Sequence, residues 1–212
     1  MKKLLIVTGP LIMAFAPVQQ QRVVAECTVT YSISPEDDGT DKEVAESLKA
    51  TSKTVYIKAN DSRTDLVSPT FKQSVIYNKA TGAAVILREF GNNKFLTRMD
   101  DARWIKENNR YEGLTVQLGT STETKPILGY ECRKASIQLK DGSSFTVYYA
   151  TNIVPSVKEF EYQFRDIPGF VLEYEAQEAE GKKIRYTATK INLSPVQASK
   201  FDIPASGYRL LN

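Results

Sequence analysis

The chain has 212 residues, of which 42% are hydrophobic and 25% charged, and its formal net charge is +3. This balance is typical of a folded globular protein, and the interspersed 28 basic and 25 acidic residues argue against a nucleic-acid-binding surface. The sequence contains no histidine, which excludes a Ser-His-Asp or Cys-His catalytic site and a histidine-ligated zinc site. We therefore predict a protein that is not an enzyme and has no metal or cofactor.

The N-terminus has the pattern of a secretory signal peptide. Two lysines precede an apolar run at residues 4–16, which is too short to span a bilayer. We predict a signal peptide over residues 1–21, with cleavage between residues 16 and 25, and no transmembrane segment in the mature chain. The alternatives are a lipid-modified Cys27, which the acidic residue before it disfavours, and a buried first element of a cytosolic protein.

The first half of the remaining chain alternates strands with turns. Residues 22–34 form the first predicted strand, and Thr40 or Asp41 then caps a short helix that runs to about Ala50. Asp100 or Asp101 caps a second short helix, which contains Trp104. Between the two helices we predict strands at residues 53–59, 63–68, 72–78, 83–90 and 94–99. The fourth opens on an unbroken apolar run, which predicts burial on both faces.

The second half continues the strand pattern. Asp141 and Gly142 form a hairpin turn, residues 154–165 show no clear period, and the tail at residues 201–210 is extended. Strands are predicted at residues 114–120, 130–140, 143–150, 171–178 and 184–192. About ten short strands at this spacing predict one domain over residues 22–212, mainly β with a few short helices, built on a curved antiparallel sheet or half-open β-barrel.

The two cysteines, Cys27 and Cys132, could pair in an oxidising compartment. Cys27 alternates in phase with Val29 on an apolar strand face, whereas Cys132 is out of phase with Ala135 unless a bulge near Gly129 intervenes. The sequence therefore leaves open both a disulfide and two separate buried thiols.

Several residues are candidates for a ligand site. Trp104, the only tryptophan, sits between charged residues and is suited to the rim of a pocket. Apolar side chains that share one strand face, together with a later phenylalanine, could line the same cavity: Phe145, Val147, Tyr149 and Phe170. Core packing is the alternative explanation for all five residues.

Two acidic groups were also considered. Carboxylates can act as a glycosidase pair when their separation is fixed, and the candidates are Glu159, Glu161, Glu173 and Glu175. The alternation of these residues with apolar ones also fits the solvent face of a strand. A calcium loop is only partly matched by Glu36, Asp37, Asp38 and Asp41, and a solvated turn explains them equally.

Four segments of the second half carry a family resemblance: GYECRKA at residues 129–135, VYYA at 147–150, IPGFVLE at 167–173 and FDIP at 201–204. They resemble the GLPGLI-type secreted envelope proteins, which are named for a Leu-Pro-Gly-Leu-Ile run. This chain departs from that run, because Ile167 replaces leucine and Phe170 with Val171 replaces Leu-Ile. The resemblance implies a LolA-like fold and a location in the periplasm or on the surface of a Gram-negative cell, and it implies no function.

These observations predict an exported binding protein that carries or senses a lipid or another apolar ligand. The alternative is a structural or assembly partner of an envelope protein complex, which would dock through a sheet edge or an aromatic patch. A hydrolase that works without histidine is the third possibility.

Overall fold

The computed structural model describes residues 21–36, 40–177 and 183–211. These ranges form two α-helices, α1 (Lys42–Ala50) and α2 (Asp101–Glu107), and short 3₁₀ turns at Asn109–Tyr111, Lys158–Phe160, Tyr162–Phe164 and Ala198–Phe201. They also form fifteen strands: β1 Arg22–Val24, β2 Glu26–Pro35, β3 Ser52–Lys58, β4 Asp61–Val67, β5 Phe71–Asn78, β6 Ala84–Phe90, β7 Asn93–Met99, β8 Thr115–Leu118, β9 Thr124–Ile127, β10 Tyr130–Gln138, β11 Ser144–Ala150, β12 Ile153–Pro155, β13 Phe170–Gln177, β14 Lys183–Asn192 and β15 Arg209–Leu211. Apart from Gln21, the predicted signal peptide lies outside the described ranges.

Thirteen of the strands form one large curved sheet, which confirms the prediction of a mainly β fold. Their order is β15-β7-β6-β5-β4-β3-β2-β14-β13-β11-β10-β8, and β9 pairs with β10 beside β8. The sheet does not close, so β8 and β15 remain edge strands. Most neighbours are antiparallel, as tight turns between consecutive strands require.

Two pairings differ from the antiparallel prediction. The C-terminal strand β15 lies parallel to β7, and β1 lies parallel to β12 in a separate two-stranded sheet. The single strand predicted over residues 22–34 is therefore divided at Ala25. Its carbonyl accepts a hydrogen bond from the Ala59 backbone N–H (2.8 Å), while the Val24 carbonyl accepts from Ser156 (3.0 Å). The chain leaves one sheet and enters the other at this point.

Both helices begin where their capping residues predict. The Asp41 carboxylate accepts from the Glu43 backbone N–H (2.8 Å) at the start of α1. The Asp100 carboxylate accepts from the Arg103 N–H (2.9 Å) at the start of α2. These local bonds satisfy backbone donors that have no partner within the helix.

The inner face of the large sheet carries the main hydrophobic core. One side of the sheet, which we call the inner face, bears Val29, Tyr31, Val55, Ile137 and Val147. All five are nearly or completely buried. Side chains alternate between the two faces, so the intervening positions of the central strands are polar and point outward. Thr28, Thr30 and Ser32 of β2 are examples on the outer face.

An irregular segment fills one half of the inner face. Residues 157–167, which we call the inner loop, place Phe160 and Phe164 in the core together with other buried residues of the segment. The Phe164 ring meets the Tyr174 ring of β13 edge-on at 5.0 Å between centroids. The Thr64 hydroxyl of β4 donates to the Phe160 carbonyl (3.1 Å), which fixes the inner loop on the sheet.

The C-terminal tail covers part of the outer face. A second apolar cluster on β5, β6 and β7 packs against Phe201 and Tyr208 of the tail. The Tyr208 hydroxyl donates to Glu89 (2.7 Å), and the Arg63 guanidinium donates to the Lys200 carbonyl (2.8 Å). The tail then forms β15, which pairs with β7 at the edge of the large sheet. It therefore covers part of the outer face and also adds the last strand to the sheet.

Candidate functional site

A groove remains open on the inner face of β5, β6 and β7, beyond the inner loop. Its volume is about 480 Å³, which lies within the range typical of small-molecule sites. Apolar residues from the sheet, from α2 and from the C-terminal strand line it: Val75, Ile86, Met99, Trp104 and Leu211. The polar lining residues are Gln73, Arg88, Thr97, Arg103, Glu107 and Asn108.

The strand register arranges the floor of the groove in rows. Val75 pairs with Ile86, Ile86 with Thr97, and Thr97 with Leu211 of β15, which makes one largely apolar row.

A second row, two residues further along each strand, contains polar and charged residues; we call it the basic row. Gln73 pairs with Arg88, Arg88 with Phe95, and Phe95 with Arg209. Beyond the basic row, the Phe71 and Phe90 rings pack at 4.7 Å between centroids at the open end. The inner face at the groove is therefore apolar in the row next to α2. It is basic in the following row and aromatic at the open end.

Trp104 covers the deep end of the groove. It is the buried residue of α2, with 8% of its surface exposed, and it stacks on Tyr77 of β5 at 5.8 Å and 28° between ring planes. Burial raises the pKa of Tyr77, with the nearby Glu159 and Asp101 carboxylates adding to the effect, so its phenol stays neutral. Within the described residues, the buried indole Nε1 of Trp104 has no hydrogen-bond partner.

A second cavity adjoins the groove. It has a volume of about 150 Å³ and shares Val75, Trp104 and Asn108 with the groove. Its far wall is the inner loop, which contributes Phe160 and Tyr162. The two spaces are thus neighbours, and the second borders the filled core.

The structure separates the five residues that the sequence singled out for ligand binding. Trp104 lines the groove. Phe145 lines a different, small cavity of about 60 Å³ with Arg110 and Tyr111. The other three, Val147, Tyr149 and Phe170, are buried core residues and face neither the groove nor its neighbour. The alternative explanation, core packing, holds for them, because the inner loop fills the space above their strands.

Sequence reasoning missed most of the groove floor. Ile86 lies in the apolar run of β6, and that run was predicted to be buried on both faces, as Ala84–Leu87 are. The signal that would identify Ile86 as a lining residue is its phase with Arg88, since both lie on the inner face. Using that signal requires knowledge that the C-terminal tail covers the opposite face.

The two cysteines are free and buried in the structure, so the disulfide is not formed there. Cys132 pairs in register with Ala150. It lies three residues before Ala135 in a strand without a bulge between them, so the two side chains point to opposite faces, as the strand phase predicted. Burial raises the pKa of Cys27 and of Cys132 to about 12 each. Neither thiol is therefore poised for nucleophilic chemistry.

Three of the four carboxylates that are candidates for a catalytic pair are used in separate interactions, whereas the buried Oε2 of Glu159 has no hydrogen-bond partner among the described residues. Glu161 of the inner loop forms an ion pair with Lys53. Glu173 is buried and paired with Lys125 at 2.6 Å, and it also accepts from the Thr187 hydroxyl (3.1 Å). Glu175 accepts from the Thr146 backbone N–H (3.0 Å). These arrangements account for Glu161, Glu173 and Glu175 as structural groups.

Metal ligation finds no support in the described ranges. No group of three or more His, Cys, Asp or Glu side chains converges there. Of the acidic residues considered for calcium, Asp41 caps α1, whereas Asp37 and Asp38 lie outside the described residues. Among the helices that the structure describes, none has the length and apolar character needed to cross a membrane.

Comparison with known proteins gives matches among solved structures only. No family model matches the chain, and no curated protein matches it. The chain is similar to MucB, with a TM-score of 0.43 and 12% identity over 85% of this chain and 58% of that one. It is similar to the MucA/MucB complex of Pseudomonas aeruginosa (TM-score 0.44, 12% identity, 85% and 56% covered). A LolA-superfamily protein from Nitrosomonas europaea gives a TM-score of 0.34 and 11% identity, with 85% and 91% covered.

The chain thus spans somewhat more than half of the MucB length that it matches. The neighbours include a LolA-superfamily protein, whereas membership of the GLPGLI-type family stays a prediction. Scores at this level carry no statement about what this chain binds.

Proposed function

We propose that this protein is an exported, non-enzymatic binding protein that holds a single apolar chain, such as a lipid acyl chain, in the groove beneath Trp104. The observation that carries the proposal is the groove itself: an open space of about 480 Å³ with an apolar row at its deep end. Ligand sites in proteins are commonly concave spaces of about 300–1,000 Å³ with an apolar lining and a few polar groups. The size and lining of this groove support its assignment as the binding site.

The apolar row supplies the driving force for binding. Val75 is half-buried, and Ile86 of the same row and the neighbouring Met99 are each 8% exposed, so a chain laid over them would be shielded from water on the side that faces the sheet. Each buried methylene contributes about 0.8 kcal/mol before the costs of association. The open side of the groove lets a long chain enter without unfolding the sheet.

The location that we propose rests on the N-terminal sequence. Residues 1–20 lie outside the described ranges, so export is inferred from the positive start and the short apolar run alone. Mass spectrometry of the mature N-terminus tests it. A chain that retains its first residues inside the cell would overturn the exported assignment and leave the groove unaffected.

Binding can be tested by native mass spectrometry and by tryptophan emission. Protein purified from its own cells without detergent is expected to carry adducts with lipid masses. After these are stripped, dodecanol should shift the emission of Trp104 to shorter wavelength, because Trp104 is the only tryptophan and lines the groove. A saturable shift is the expected result.

A matched pair of variants locates the binding site. Thr97→Phe places a ring on the groove floor, where Thr97 is 6% exposed, and should weaken dodecanol binding at least about tenfold. Thr115→Phe makes the same change at an exposed position of the edge strand β8 and should leave binding unchanged. A clean apo mass together with no emission shift would end the proposal.

A specific observation also favours the alternative of a docking partner. The edge strand β8 carries Leu118, which is 57% exposed, and an unpaired edge can accept a strand from another protein. Photo-crosslinking from position 118 in intact cells is expected to give one dominant protein adduct under this alternative. A ligand carrier would give no such adduct.

A further inference from the structure

We propose that the groove selects anionic amphiphiles, with Arg88 binding a carboxylate or phosphate group while the attached chain lies on the apolar row under Trp104. This inference rests on the proposed function and specifies its ligand. The juxtaposition that carries it is a row that contains the half-buried Arg88 and the exposed Arg209, directly beside the apolar row on the same inner face.

Arg88 is the centre of the basic row. It is half-buried, lines the groove, and donates from Nε to the Gln73 side-chain oxygen (2.9 Å). That bond leaves the two terminal amino groups of the guanidinium for another acceptor. A planar guanidinium binds carboxylates and phosphates through two parallel hydrogen bonds, which a neutral hydroxyl cannot match.

Two further arginines lie close to Arg88 in the fold. Arg103 of α2 lines the same groove, and Arg209 of β15 is on the inner face, separated from Arg88 by one strand in the register. Glu107, which is exposed, is the carboxylate among the lining residues. The lining and its neighbour therefore combine three positive charges with one negative charge.

Arg88 and Arg103 differ from the arginines whose charge is already paired with a carboxylate in the fold. Arg63 pairs with Asp65 at 2.6 Å, and Arg165 pairs with Asp166 at 3.4 Å. Among the described residues, Arg88 makes no ion pair with a carboxylate, and neither does Arg103. Arg98 also lacks one, but it is exposed on the outer face, where water solvates it. A half-buried cation without a counter-ion favours an anionic ligand.

The spacing of the rows fits one molecule. Residues two apart along a strand are about 7 Å apart, so the basic row follows the apolar row at the distance of a few methylene groups. An anion at Arg88 would thus start its chain directly on Val75 and Ile86. The chain would end beneath Trp104 or continue into the adjoining cavity.

The experiment compares ligands that share a chain and differ in charge. Dodecanoate and dodecyl phosphate are the anionic probes, dodecanol is the neutral one, and dodecyltrimethylammonium is the cationic one, each titrated below its micelle concentration with Trp104 emission as readout. Both anionic probes are expected to bind at least about tenfold more tightly than dodecanol, since a hydrogen bond between two charged groups is stronger than one to a neutral hydroxyl. The cationic probe should bind most weakly. Acetate and inorganic phosphate, which lack the chain, should not bind.

Variants assign the effect to Arg88. Arg88→Gln should weaken the binding of dodecanoate about tenfold more than it weakens the binding of dodecanol, and it should reduce the salt dependence of dodecanoate binding. Arg98→Gln, the same change on the outer face, should alter neither the affinity for dodecanoate nor the salt dependence of its binding.

Four results would overturn the inference. Equal affinity for the neutral and anionic probes would do so, as would equal effects of the two variants, while the proposed function would survive. Binding of inorganic phosphate as tight as that of dodecyl phosphate would show a free-anion site and contradict the amphiphile. Failure of every dodecyl probe to bind would overturn both proposals.

Discussion

Lys53 of β3 forms a buried ion pair with Glu161 of the inner loop, across the inner face of the sheet. The Lys53 side chain is 7% exposed, and its ammonium group lies 5.0 Å from the centre of the Tyr174 ring and 4.9 Å from that of Tyr186. It also donates to the Tyr174 hydroxyl. The pair therefore holds the inner loop against the sheet, and the position of this loop determines where the core ends and the groove begins.

Replacing the carboxylate should leave a buried positive charge without its partner. Breaking a fully buried pair costs about 3–5 kcal/mol, and because Glu161 is 23% exposed we expect about 2 kcal/mol for Glu161→Gln. The midpoint of urea unfolding measures this loss. Glu131→Gln, at an exposed position of β10, should change stability by less than about 0.5 kcal/mol. Equal midpoints for the two variants would contradict a role for the pair in fixing the inner loop.

The two cysteines should be unreactive in the folded protein. Burial raises the pKa of each thiol to about 12, so almost no thiolate exists at neutral pH. Ellman's reagent is expected to release no colour from native protein and to titrate two thiols after unfolding. Unfolded, unreduced protein that still shows no thiols would instead establish the disulfide between Cys27 and Cys132.

Gly169 of the IPGF segment should tolerate no side chain. A Cβ atom there would overlap the Ala150 carbonyl oxygen and stand 2.6 Å from a Tyr149 ring carbon. Because backbone must move, we expect Gly169→Ala to cost about 3 kcal/mol. Gly142→Ala serves as the control: no atom lies within 4 Å, and its positive φ of 85° costs about 1 kcal/mol. Thermal melting of the two variants in the same buffer compares them, and a smaller loss for Gly169→Ala would refute the close approach.

Stability should decrease at alkaline pH. Burial is the main cause that raises the pKa of Tyr31 and Tyr174 well above the usual value, whereas in the unfolded chain both ionise near pH 10. The unfolded state therefore loses these protons first, so the stability they contribute is complete below about pH 10 and is lost as the pH rises further. The phenolate absorbance of native protein should rise at a higher pH than that of protein unfolded in urea. Coincident titration curves would contradict the buried phenols.

Much of the fold follows from local signals in the sequence. Asp41 and Asp100 cap their helices through bonds that span two or three residues, and the Asp141-Gly142 turn joins β10 to β11. Such interactions depend on neighbours in the chain, which is why pattern reasoning finds them. The parallel pairings of β1 and β15 depend on contacts more than a hundred residues apart, so no local pattern predicts them.

The candidate site was only partly predictable for the same reason. Trp104 was identifiable because a lone tryptophan among charged residues in a short capped helix is unusual. Val147 and Phe170 have the same apolar character as groove residues, and only the position of the inner loop makes them core. Arg88 looks like a solvent-facing residue until the tail, through Phe201 and Tyr208, is seen to cover the other face of the sheet.

The most direct test of the account uses a fatty acid brominated along its chain. Bromine quenches indole emission on contact, and Trp104 is the single indole of the protein. We expect the brominated acid to quench the emission in a saturable way and the unbrominated acid to restore it by competition. Binding of the brominated acid, seen by calorimetry, without any quenching would place the chain elsewhere and contradict the groove beneath Trp104.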